Sequence, residues 1–111
     1  MNNQGIDRER WAQMTIFEQM GNIGSEVGRA INAQRRGNTT RMDGAVDRAI
    51  DLFNATACVW AAKKSPRTRE ILRAREQFLE LFFGDTRDND AESLERYFTQ
   101  FAVAARRAVD A

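Results

Sequence analysis

Few side chains in this 111-residue chain are equipped for chemistry, and one absence narrows them further: there is no histidine. Imidazole bases and the usual zinc sites drop out, as do the Glu-x-x-His pairs that hold di-iron centres in helical bundles. What remains is a carboxylate ladder, Asp43, Asp47 and Asp51, spaced at i, i+4 and i+8. Joined by Glu76, Glu80 or Glu92, it has the oxygen donors that Mg²⁺ prefers. Arg41 and Arg48 can equally answer the ladder along one helix, which leaves an ordinary charged face. Cys58, the sole cysteine, has no helix N-terminus near it to favour a thiolate and reads as a semi-buried structural thiol. Met14, Met20 and Met42 fall where core residues belong, which weakens any soft-metal reading with Cys58. No resident metal or cofactor is expected.

The stretch GNIGSEVGRAI, residues 21–31, offers a different chemistry. Gly21, Gly24 and Gly28 invite comparison with a phosphate-cradling loop. Such loops have tighter glycine spacing, a preceding strand and often a Lys-Ser or Lys-Thr pair, and none of these is present. The apolar phase of Phe17, Met20, Val27 and Ile31 instead runs through the glycines without a slip. Each glycine costs a helix about 1 kcal/mol against alanine. Close approach of another backbone would offset that cost, so the three glycines read as a packing groove. A kink at Gly21-Asn22, with Ser25 recapping the helix, is the other option.

Charge is dense but balanced, 17 basic against 16 acidic residues, and 15 of the basic ones are arginine. Arginine suits bidentate contacts to phosphate and carboxylate. Lys63, Lys64, Arg67, Arg69, Arg73 and Arg75 crowd one short segment with Glu70 as the only acid, and acids dominate the segment that follows. In an up-down topology this segment shares an end with both termini. Lys63, Lys64, Arg67 and Arg69 should then gather near Arg8, Arg10, Arg106 and Arg107. Such an end can grip a phosphodiester backbone. It can also be a solvated cap, with Asp7, Glu9 and Asp110 as partners.

The elements that must position these groups are helices. Apolar residues recur at steps of three and four over 7–35, 40–62, 66–83 and 90–109. The seams are Met14, Phe17, Met20, Gly24, Val27 and Ile31; Met42, Val46, Ala49, Phe53, Ala57 and Trp60; Ile71, Leu72, Phe78, Leu79 and Phe82; and Leu94, Phe98, Phe101, Ala105 and Ala108. Gly37 closes the first helix and Asn38, Thr39 or Thr40 caps the second. Ser65-Pro66 has the form of an N-cap followed by proline at the first helical position. Gly84 stops the third helix, and Asn89 with Glu92 has capping-box spacing. Proline occurs once and β-branched runs are absent, which argues against a sheet. Short connections imply antiparallel neighbours, so the expected fold is all-α: one domain over 1–111, an up-down-up-down four-helix bundle.

Two of these faces are wider than one core requires. Ile16, Ile23 and Ala30 form a second stripe on the first helix, and Ala45, Leu52 and Val59 repeat it on the next. Either the core is broad or Ile16, Ile23, Leu52 and Val59 mark a homo-oligomer interface. A first helix of about 28 residues would be roughly 42 Å long, so its start, with Trp11, is expected to overhang. Arg75 lies on the apolar face of the third helix and must snorkel to the rim or bond to Glu18 or Gln13.

Asn22-Ile23-Gly24-Ser25-Glu26-Val27-Gly28-Arg29 resembles the Asn-Ile-Ala-Glu-Gly-x-Gly-Arg stretch of the ribosomal-RNA intervening-sequence family of four-helix bundles. That family includes the accessory variability protein of diversity-generating retroelements. The resemblance covers eight residues, with the glutamate shifted. It implies a basic, pentameric bundle that binds nucleic acid and a reverse transcriptase. Taken together, the sequence leads us to expect a non-enzymatic helical binding or assembly module, with nucleic acid or a partner protein as target. The rival is a Mg²⁺-dependent nucleotide hydrolase that uses Asp43, Asp47 and Asp51. No apolar run is long enough for a signal peptide or membrane span, and the single cysteine fits a reducing compartment, so a cytoplasmic location is expected.

Overall fold

The computed structural model describes residues 7–84 and 88–110 and is all-α over them, with no strand among the described residues. Five helices follow one another: α1 Arg8–Ala12, α2 Ile16–Arg35, α3 Thr39–Ala62, α4 Thr68–Phe83 and α5 Asp88–Asp110. α2 packs along both α3 and α5, α3 also carries α4 and the short α1, and α4 meets α5. Among the described residues no helix is long and apolar enough to cross a membrane.

The first expected helix is two helices. Thr15 starts α2 with a full capping box: its hydroxyl accepts from the Glu18 backbone N–H, and the Glu18 carboxylate accepts from the Thr15 backbone N–H. Two orphan amides are satisfied at once, which makes a new start cheaper than continuing through residues 13–15. α1 therefore turns away and Trp11 is buried against α3 rather than overhanging. α2 runs unbroken through Gly21-Asn22, and Ser25 does not recap it: Asn22 and Ser25 donate to the carbonyls of Glu18 and Gly21.

α2 ends as expected. Gly37 takes the left-handed conformation at φ 71°, its N–H donates to Gln34 O, and Asn38 N–H reaches Ala33 O. This is a Schellman turn. The Asn38 side chain then caps α3 by accepting from Arg41 N–H at 3.1 Å. α3 ends in the same motif, with Lys64 N–H on Ala61 O and Ser65 N–H on Trp60 O. Here the left-handed position is filled by Lys64, at φ 57°. That turn commits the Ser65 backbone to α3, so Ser65-Pro66 does not open α4 directly. Ser65 Oγ accepts from Arg67 N–H instead, Arg67 is the N-cap residue, and α4 begins at Thr68. The cap expected at Asn89, the connection through 85–87 and the side chain of Ala108 lie outside what is described.

The core is built where the seams meet. Ile23, Val27 and Ile31 of α2, Val46, Ala49 and Phe53 of α3, Ile71 and Phe78 of α4, and Leu94 and Phe98 of α5 are all buried. Phe53 is its aromatic centre, 5.6 Å from Phe78 and 5.9 Å from Phe98 between ring centroids. Such tilted and edge-on pairs are the favoured aromatic geometry. Leu72 departs from its expected seam and is exposed.

Candidate nucleic-acid interface

The basic end is assembled around a buried polar network that joins three helices. Gln19, fully buried on α2, donates from Nε2 to the Trp11 carbonyl at 2.8 Å. Its Oε1 accepts from Trp60 Nε1 at 2.6 Å. Trp11 Nε1 in turn donates to Thr56 Oγ1, also fully buried, at 2.8 Å. Each of these polar groups has its partner, so burial does not leave a desolvated orphan. The network holds α1, with exposed Arg8 and Arg10, against the C-terminal half of α3, where Lys63 and Lys64 emerge.

Cations and aromatic rings pair at this end. The Lys63 ammonium lies 4.9 Å from the Trp60 ring centroid. The Arg67 guanidinium lies 6.0 Å from that of Phe17. Both separations fall within cation–π reach. Phe17 is half-buried and also lines an open groove with Gln100, Val103, Ala104 and Arg107 of α5. Phe17 thus has Arg67 near its ring and shares a groove with Arg107. Below them Arg67 meets Glu70 at 3.4 Å, and the Tyr97 hydroxyl donates to the other Glu70 oxygen at 2.8 Å. Burial, and then the adjacent Glu70 carboxylate, push the Tyr97 phenol above its ordinary pKa.

Of the expected basic residues, Lys63, Lys64, Arg67, Arg69, Arg106 and Arg107 are all exposed. Among the described residues only Arg67 has a carboxylate partner. The side chain of Asp110, one expected partner, lies outside the described set. Asp7 uses its carboxylate to cap α1 at Arg10 N–H. Charge spacing does not reveal the aromatic members, Phe17 and Trp60. Their signal was the placement of Trp60 three residues before Lys63.

The glycine stretch packs within the chain. A Cβ on Gly24 would lie 2.8 Å from Phe98 Cβ, and one on Gly21 would lie 3.8 Å from Ala102 Cα. The helix that comes close is α5. Gly28 has open space instead. Ile16 and Ile23 are buried in the core with Ala30 and Ala45, whereas Leu52 and Val59 are half-buried on α3.

The remaining candidates disperse. Asp43, Asp47 and Asp51 are exposed, and among the described residues no three His, Cys, Asp or Glu side chains gather as a metal site. Arg48 does not answer the ladder; it bonds to Glu26 of α2 at 3.1 Å, where Arg29 also binds at 3.2 Å. Cys58 is exposed rather than semi-buried. Arg75 finds neither Glu18 nor Gln13, because its Nε donates to Asn54 Oδ1 of α3 at 3.0 Å. Compared with protein-family models, curated proteins and solved structures, the chain matches none of them.

Proposed function

We propose that this chain is a non-enzymatic, up-down-up-down four-helix module, with α1 as an added N-terminal turn, that binds single-stranded nucleic acid through its basic end. The observation that carries the reading is the pairing of cations with rings: Lys63 on Trp60 and Arg67 on Phe17, with Arg107 in the groove that Phe17 lines. Single-strand binders combine a positive track for the backbone with aromatic faces for the bases. Lys63, Lys64 and Arg107 are exposed and have no carboxylate partner among the described residues, so their charge is available to phosphate. Lys64 adds a second support. A lysine in a left-handed turn costs folding where glycine would serve, and such strain tends to be retained at functional positions. The resemblance of Asn22–Arg29 to a nucleic-acid-binding bundle family agrees with this reading. Half-buried Leu52 and Val59 are the residues we would assign to self-association.

Fluorescence anisotropy with a labelled oligonucleotide tests the proposal. Binding should be saturable, should quench Trp60, and should weaken about tenfold or more in the Lys63→Gln/Arg67→Gln double variant. Equal binding by the variant and the parent would refute the assignment of this end.

A further inference from the structure

A second basic feature lies at the other end of α2, in the turn to α3. Arg29, Asn32, Arg36, Asn38, Arg41 and Arg48 line one concave cleft of about 370 Å³. Four guanidinium-bearing residues line it and no carboxylate does; Arg29 and Arg48 share the Glu26 carboxylate beside it. Arg36 and Arg41 are exposed and have no ion pair among the described residues. Arg41 is also poorly placed for the helix that carries it. It sits in the first turn of α3, which contains no acidic residue, and the positive end of the helix dipole repels it. No described contact offsets that cost.

We infer that this cleft binds a compact polyphosphate group, either free pyrophosphate or the phosphate tail of a nucleotide. Guanidinium groups bind such oxygens in paired, charge-assisted bonds. The volume matches a small-molecule site. Its lining holds arginine, asparagine and Ala33 with no aromatic ring, so it reads phosphate and offers no platform for a base. That lining separates it from the ring-bearing basic end, and the inference stands whether or not that end binds nucleic acid.

Calorimetric titration of the intact chain with pyrophosphate, with ATP and with sulfate, at near-physiological salt, tests it. Pyrophosphate and ATP should each bind one-to-one with similar Kd values, and sulfate far more weakly. Arg36→Gln and Arg41→Gln should each weaken both ligands about tenfold, and Lys63→Gln should change neither. Neither arginine has an ion pair to lose among the described residues, so both variants should keep the parent's circular dichroism; Arg36→Gln should keep its Tm, and Arg41→Gln should keep or slightly raise it, because it relieves the charge at the α3 N-terminus. Four results would overturn the inference: no saturable binding, ATP bound while pyrophosphate is refused, sulfate bound as well as pyrophosphate, or pyrophosphate affinity unchanged in both variants. Loss of oligonucleotide affinity in Arg36→Gln with pyrophosphate affinity intact would likewise overturn it, assigning the cleft to a nucleic-acid surface.

Discussion

Gly24 of α2 lies directly against Phe98 of α5, so near that a Cβ built on the glycine would stand 2.8 Å from the phenylalanine's own Cβ. Phe98 is buried and its ring packs on Phe53 at the centre of the core. Neither atom of that contact is the free end of a flexible chain, so neither can yield without moving a helix. The missing methyl group of Gly24 is what allows α5 to seat Phe98.

Gly24→Ala should therefore destabilise the chain by about 1–3 kcal/mol, the usual cost of overpacking, despite its gain in helix propensity. Gly28→Ala, with open space around the new Cβ, should stabilise by up to about 1 kcal/mol. Urea denaturation of the two variants compares them directly. Equal effects of the same sign would show that packing does not distinguish these glycines.

The left-handed Lys64 gives a second stability test. Lys64→Gly should raise stability by about 0.5–1 kcal/mol: relief of a left-handed side chain is partly offset by the freer unfolded glycine. The same variant should bind an oligonucleotide less tightly, because a phosphate partner is lost. Stability and binding would then move in opposite directions, as expected for strain retained at a working position. Unchanged binding would leave the turn without that role.

Thr56→Val keeps the shape of a buried side chain while removing the acceptor for Trp11 Nε1. An orphaned indole N–H in that setting should cost about 1–3 kcal/mol. Because the bond pins α1 to α3, amide exchange in residues 8–12 should accelerate more than in α5. Loss of stability with uniform exchange would contradict the pinning role.

Tyr97 is the only tyrosine, so phenolate absorbance reports on it alone. Burial and the bond to Glu70 raise its folded pKa above the ordinary value of 10.0. The folded chain thus holds the phenolic proton more tightly than the unfolded chain does. Stability from this group is complete below pH 10 and declines as pH rises above it toward the folded pKa. Absorbance titration should show phenolate emerging well above pH 10, and Tyr97→Phe should flatten the alkaline fall in stability. A midpoint near 10 would contradict both the burial of Tyr97 and its bond to Glu70.

Much of this architecture was legible in the sequence because local signals and periodicity agreed. Gly37 and Asn38 marked the turn from α2 to α3, and the phase of Met20, Val27 and Ile31 survived the glycines. Other features depended on competition between local signals. Thr15 and Glu18 spelled a capping box, yet the apolar residues either side of it kept a single helical phase, so the break stayed hidden. Lys64 was hidden for the opposite reason, since a lysine does not advertise a left-handed turn. The bond from Arg75 to Asn54 and the gathering of Arg29 and Arg48 on Glu26 join separate helices. Spacing along one helix cannot reveal which residue of another will face it.

The salt dependence of oligonucleotide binding decides whether this basic end holds phosphates. If Lys63, Lys64, Arg67 and Arg107 each neutralise one phosphate, log Kobs should fall against log salt with a slope of about −3 for a single strand. Replacing Lys63 and Arg67 with glutamine should reduce that slope by about half. A slope near zero, or one that the double substitution leaves unchanged, would contradict binding through this end.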